Sequence, residues 1–214
     1  MKRITAMLCA LALALCAAAA CAEAPVSNLC APVAPAALRT LLGGNSFDAM
    51  ITGWEFAGED EDAKLTVLVT LCERDRFDPA VIDALAERDI IRFGDGTTVM
   101  AMEVARNDFG VHVKDGDGEN YVFFKDEDGA YIATTDTDYP FWTEVFSFKA
   151  PVGKDVAFLD WSNPENLKEP VKLGYEEFVD YLLSGRGFTA NNTRLTFDEN
   201  GKLVEILLNY SPWD

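Results

Sequence analysis

The sequence predicts an α+β fold that is predominantly antiparallel β: a hairpin meander, sandwich- or barrel-like, with two or three short helices. Three observations carry this. Short runs rich in Val, Ile, Phe, Tyr and Thr recur from Asp89 to Thr135, separated by turns of Gly, Asp and Asn. Strand-like segments outnumber helical ones by about three to one, with no strand–helix alternation to suggest a parallel sheet. Apolar residues make up 49% of the 214-residue chain, with fourteen Phe and four Trp, enough for a packed core and too many for disorder.

Taken in order, Ala36–Leu42 reads as a short helix stopped by Gly43-Gly44. Ala49–Phe56 and Lys64–Glu73 read as two strands around an acidic turn, Glu59-Asp60-Glu61-Asp62, the second placing Leu65, Val67, Val69 and Leu71 on one face. Asp78-Pro79 opens a helix running to about Glu87, with Asp as N-cap and Pro at the first helical position. The meander strands are Ile90–Phe93, Thr97–Arg106, Gly110–Lys114, Glu119–Lys125 and Ala130–Thr135. Tyr121-Val122-Phe123-Phe124, apolar on both faces, implies a central strand covered on each side. Thr143–Ala150 and Val156–Trp161 read as two more strands, and Gly174–Ser184 as an amphipathic helix stopped at Gly185. A closing hairpin, Asn192–Phe197 and Lys202–Tyr210, puts Val204, Ile206, Leu208 and Tyr210 on one buried face.

The N-terminus carries a different signal. Met1-Lys2-Arg3, an apolar run from Ile4 to about Ala17 and the small residues Ala18 to Ala22 make a secretory signal peptide of bacterial style, residues 1–22. Cleavage after Ala22 would release a chain starting at Glu23. Alternatively Ala18-Ala19-Ala20 before Cys21 is a loose lipobox, and Cys21 would be lipidated. An uncut membrane anchor is disfavoured because the apolar run is too short, and no later segment is apolar for long enough to span a bilayer. Residues 23–36 read as a Pro/Ala-rich linker or tether, and 37–214 as one β-rich domain with a possible subdivision near 150. The expected location is extracytoplasmic, secreted or at the cell envelope.

Export sharpens both charge and cysteines. Loss of Lys2 and Arg3 takes the formal net charge from −18 to −20. Such an acidic chain repels nucleic-acid phosphate and anionic lipid, so neither is expected as a partner. Of the five cysteines, Cys30 and Cys72 remain as a candidate disulfide in a compartment that permits one, against the alternative of two independent thiols.

Motifs for chemistry are sparse. Asp115-Gly116-Asp117-Gly118-Glu119 places oxygen ligands at alternate positions, with Asp126 twelfth in a calcium-loop template, but the sixth position is Asn120 where Gly is needed. Asp115, Asp117 and Glu119 are therefore a weak calcium candidate beside the ordinary reading as a hairpin turn. His112, the only histidine, lies between Val111 and Val113 and points away from their face, as an exposed structural residue. One histidine excludes multi-histidine metal sites, and no nucleophile elbow, zincin, P-loop or dinucleotide fingerprint occurs, so no cofactor is expected. Asp138, Tyr139, Phe141 and Trp142 form an aromatic and acidic loop that could stack on a ligand, against the reading that Pro140 turns the chain while the aromatics return to the core. Asp160-Trp161-Ser162-Asn163-Pro164 has the same ambiguity. The expected function is a non-catalytic binding or envelope-associated interaction module for a protein or carbohydrate. The alternative is an extracytoplasmic hydrolase using two carboxylates, for instance on glycans.

Overall fold

The computed structural model describes residues 35–58, 64–165 and 168–212, which are mostly β with three short helices. Cys21, Cys30, the signal segment and the acidic turn 59–62 lie outside the described residues. After α1 (Pro35–Leu42), β1 (Ser46–Ala57) and β2 (Lys64–Arg74) form an antiparallel pair. Alternation in β2 has the predicted result: Leu65, Val67, Val69 and Leu71 are all buried, and with Phe148, Phe158 and Ile206 they centre the first apolar core.

The chain leaves β2 and builds a second unit before returning. β3 (Arg76–Phe77), β6 (Glu103–Asn107), β7 (Gly110–Lys114), β8 (Asn120–Lys125) and β9 (Tyr131–Thr135) form an antiparallel sheet in the order β3-β9-β8-β7-β6. The meander predicted from its Gly/Asp turns is present in β6 to β9. A separate two-stranded hairpin joins β4 (Ile90–Arg92) to β5 (Thr98–Met100). The single strand expected over Thr97–Arg106 is thus broken. The Ala101 N–H donates to Asp89 O at 2.9 Å and the Met102 N–H to Lys114 O at 2.8 Å, so the backbone changes partner between those two residues. β8 is central as expected, but coverage is uneven: Tyr121 and Phe123 are buried, Val122 and Phe124 half-buried.

α2 (Pro79–Asp83) starts where predicted, with Asp78 accepting the Ala80 N–H at 2.8 Å, but stops short of Glu87. The Arg106 guanidinium, reaching over from β6, donates to the carbonyls of Asp83 and Leu85 at 3.2 and 2.6 Å. These C-terminal carbonyls are satisfied by a side chain and need no further turn.

β10 (Trp142–Trp161) is one strand of 20 residues where the sequence suggested two. Its first half, Trp142–Val152, pairs antiparallel with β2, and Val152–Trp161 pairs with β13 (Leu203–Asn209). Pro151 and Gly153, between the two expected strands, mark the place where the strand changes neighbour, with an irregular register between Val152 and Ala157. β11 (Val171–Leu173), α3 (Tyr175–Leu183) and β12 (Thr193–Phe197) complete the chain, giving the order β11-β10-β13-β12-β1-β2. Because β2 also pairs with β10, this hydrogen-bonded order returns on itself.

The β10–β13 pair is parallel, so the first sheet is mixed within a fold expected to be predominantly antiparallel. The crossover contains β11, α3 and β12, so the regular strand–helix–strand alternation that flags a parallel pair never appears in the sequence. α3 begins at Gly174, whose N–H is taken by the Glu177 carboxylate at 2.9 Å, and packs Phe178 and Leu182 into the first core. In β13, Ile206 and Leu208 are buried as predicted, but Val204 is only half-buried and Tyr210 is exposed beyond the strand. A register irregularity opposite Thr196 and Phe197 turns Leu203 inward instead.

The second core gathers Ile82, Phe93, Val111, Val113, Tyr121 and Phe123, with Phe77 and Phe141 packed against it. Phe148, Ala150 and Val152 all belong to the first core, and the two cores part at the ends of β2 and β10. There Arg74 pairs with Trp142, and the Asp75 N–H donates to Phe141 O at 3.1 Å.

Candidate binding surface

The aromatic and acidic loop does not act as one surface. Asp136 to Pro140 form a tight turn in which Asp138 takes the left-handed conformation (φ 60°) and the Asp138 N–H donates to Thr135 O at 3.1 Å. Phe141 returns to the second core, its ring 4.1 Å centroid to centroid from Phe93 in a stacked arrangement. Trp142 is half-buried: its Nε1–H donates to Asn191 Oδ1 at 2.7 Å and the Arg74 guanidinium lies over its ring. Asp138 and Tyr139 stay exposed. Of four candidates, two are therefore held in packing.

The calcium candidate is explained by a repeated turn. Asp115 Oδ1 accepts the N–H groups of Asp117 and Glu119, each at 2.9 Å, and its other oxygen accepts the Tyr121 hydroxyl at 3.2 Å. Asp126 and Asp198 make the same pair of bonds to the residues two and four further on. Each turn has glycine three positions after its Asp, at φ 91°, 83° and 75° for Gly118, Gly129 and Gly201. The alternating acid and glycine that resembles an ion loop is the signature of this hairpin. Among the described residues no group of three or more His, Cys, Asp or Glu is arranged to hold a metal ion.

Other titratable groups are held by burial or by hydrogen bonds. His112 is half-buried rather than exposed: its Nε2 is shut from solvent without a hydrogen-bond partner, and its cross-strand neighbours are Ala105 and Val122. Cys72 is buried, and burial, then the nearby Glu144 and Asp48 carboxylates, push its thiol up to about 12. Asp75 is the one buried carboxylate among the described residues, and its oxygens accept the Gly94 N–H and the Thr143 hydroxyl.

The Asp160-Trp161-Ser162 segment forms a compact network. Burial works to raise the Asp160 carboxyl, but hydrogen bonds from Ser162 and Tyr181, with the Arg186 charge, outweigh it and hold the group below the usual range. Arg186 also donates to Ser162 Oγ at 2.5 Å and lies over the Tyr181 ring. An acid held ionised is a poor proton donor at neutral pH. Asp48 has its carboxyl raised by burial, against the pull of Arg194 and Arg74.

The surface that sequence reasoning missed lies on β1. Trp54 and Phe56 are each 44% exposed, although the same face of the strand is buried further back at Ala49 and Ile51. Register shifts between Ile51 and Gly53, so the inward residues change from odd to even numbers. That shift is visible in the sequence: the apolar frame Ala49, Ile51 gives way to Trp54, Phe56 with a glycine between them. On the opposite face of β1 a shallow groove of about 200 Å³, open to solvent, is lined by Gly53, Glu55, Thr66, Leu68 and Lys149. Lys149 Nζ donates to both Glu55 oxygens at 2.9 and 3.0 Å, joining β10 to β1 across the intervening β2. A second exposed apolar strip, Ile90 facing Met100, sits on the β4–β5 hairpin. No protein-family model, curated protein or solved structure matches the chain.

Proposed function

We propose that this chain is an exported, non-catalytic binding module of the cell envelope or its surroundings, and that it recognises a protein partner through the outer half of β1. The observation that carries this reading is the pair Trp54 and Phe56, two large aromatics 44% exposed side by side on one strand. Aromatics are concentrated at the centres of recognition surfaces because they bury much apolar area with few rotatable bonds. The Glu55–Lys149 pair, on the opposite face of the strand, ties β1 to β10 and steadies that surface from behind. The closed strand order, read as a barrel-like body, gives that surface a rigid support. Export rests on the N-terminal signal in the sequence, which leaves either a free Glu23 terminus or a lipid-bearing Cys21.

The test uses a photo-crosslinking side chain placed at position 54 in the native host, with the same side chain at Asn200, an exposed turn residue, as control. A discrete protein adduct from position 54 and none from 200 is the expected result. Adducts of equal pattern from both positions would end the reading. Release of product from a glycan panel, lost on replacing a single carboxylate, would assign a hydrolase instead. Mass spectrometry of the mature N-terminus separates the soluble from the lipid-anchored form.

A further inference from the structure

The geometry points to β-strand addition: an extended segment of a partner, with apolar residues at alternate positions and Lys or Arg between them, pairs with the open edge of β1 from Thr52 to Ala57. This rests on the binding reading above and names its partner class and mode. β1 is covered along one edge by β2, from Asp48 opposite Cys72 to Ala57 opposite Lys64. Its other edge is covered only at Ser46, Phe47 and Asp48 by β12, and at Ile51, whose N–H donates to Phe188 O at 3.0 Å. Beyond Ile51 no strand among the described residues pairs with that edge, and all of Thr52–Ala57 except Gly53 is exposed.

An open edge normally needs protection, because its unpaired N–H and C=O groups template further pairing. Proteins blunt such edges with Lys, Pro, short length or a bulge placed along the edge. Thr52–Ala57 contains no Lys, Arg or Pro, it spans six residues, and the register shift lies at its inner end, between Ile51 and Gly53. The β4–β5 hairpin has exposed apolar residues too, but its strands of three residues offer too little backbone for a stable ladder. On β1 the backbone is already extended by pairing with β2, so an incoming strand bears most of the ordering cost alone.

Side-chain alternation and charge then select the occupant. Trp54 and Phe56 share one face, while Glu55 on the other is engaged by Lys149. An added strand therefore lays every second residue against aromatic surface. Formal charge decides between a foreign strand and a second copy. At −18 for the whole chain, like copies repel, and a cationic segment is attracted.

The probe is a fluorescent peptide of alternating Lys and Val, about ten residues long, titrated into protein recovered after export. Two controls accompany it: alternating Glu and Val, and the Lys/Val peptide with two central prolines. Binding by the Lys/Val peptide that weakens at about 0.5 M salt, and falls by about tenfold or more with the prolines, is expected. Trp54→Lys with Phe56→Lys should weaken it by a similar factor, and amide exchange across 52–57 should slow when the peptide is added. Equal binding of the proline peptide, or no change in that exchange, overturns strand addition without requiring any variant to fold. A dimer dispersed by the double variant would give the edge to a second copy and also overturn it. If position 54 crosslinks a partner while the peptide fails, the mode is wrong and the binding surface stands. If both fail, the surface itself is wrong.

Discussion

Asp75 offers the sharpest test of how the two cores are joined. It leaves β2 just before the second unit and is 5% exposed. One oxygen accepts the Gly94 N–H at 2.6 Å and the other the Thr143 hydroxyl, so a single carboxylate joins the turn after β4 to the start of β10. Hydrogen bonds to a charged group contribute about 1.5–3 kcal/mol each, and a buried donor left unpaired costs about 1–3 kcal/mol. Asp75→Ala removes both bonds; Gly94 is exposed and Thr143 half-buried, so water takes up their donors in part and about 2–4 kcal/mol should be lost, a large part of the roughly 5–15 kcal/mol of a typical domain. Asp75→Asn keeps an acceptor for Gly94 and lets the Thr143 hydroxyl turn to accept, so its cost should be about 1–2 kcal/mol.

Thr143→Val should cost a similar amount alone, and less when added to Asp75→Ala, because the shared bond is already gone. Gly94→Ala attacks the same node by volume. A Cβ there would lie 1.7 Å from Thr143 Oγ1 and 2.4 Å from Asp75 Oδ1, so both side chains must move and the bond between them is lost. Urea unfolding of the set, followed by tryptophan fluorescence and by far-ultraviolet circular dichroism, measures each value. A loss below about 0.5 kcal/mol for Asp75→Ala, the level of an ordinary surface change, would refute the clasp. Additive costs for Asp75→Ala and Thr143→Val would refute the shared bond.

Three further outcomes follow from the site geometry. With its thiol pushed up to about 12, Cys72 is almost wholly protonated at neutral pH, so in the native protein it should resist a disulfide reagent that reacts at once in denaturant. Its contribution to stability is complete below the unfolded thiol value of about 8.5 and is lost as pH rises toward the folded one; prompt native reaction would contradict the burial. The same denatured assay tests the Cys30–Cys72 pairing, since two free thiols in protein recovered after export exclude it. Asp160, held low in the fold, contributes stability that is complete above about pH 4 and lost as pH falls through its folded value. Asp160→Asn should therefore flatten the loss of Tm on acidification below that point, and an unchanged acid limb would show that the network contributes nothing. Finally, millimolar calcium should move Tm by less than about 1 °C relative to chelator, because Asp115 is already engaged by two N–H groups. A rise of several degrees would restore the ion site.

Local chemistry was legible in the sequence wherever one residue type dictates one conformation. Leu65 to Leu71 alternate, and their face is buried. Asp78-Pro79 caps a helix, and glycine three places after Asp115, Asp126 and Asp198 closes three hairpins. What stayed hidden depends on partners far away in the chain. Pro151 and Gly153 look like a strand break, and only the presence of β2 on one side and β13 on the other makes β10 continuous. The parallel pairing of β10 with β13 leaves no periodic mark, since the crossover is irregular. For the proposed site, the change of apolar frame across Gly53 was readable, but the exposure of Trp54 and Phe56 was not. The open edge there follows from β12 pairing with β1 no further than Asp48, a contact more than a hundred residues distant in sequence.

β2 connects the two places on which stability and recognition are argued to rest. Arg74, at its C-terminal end, adjoins the Asp75 clasp, while Leu65 and Val67, near its start, lie opposite Phe56 and Trp54. Nine steps of extended chain separate Leu65 from Arg74, roughly 30 Å at about 3.3 Å per residue. The strand between them is buried on its inner face and paired on both sides. The proposed recognition edge at Thr52–Ala57 is built on strands of the first core's sheet. The second unit keeps its own core and carries the exposed Ile90 and Met100 at a distance from that edge in the sequence.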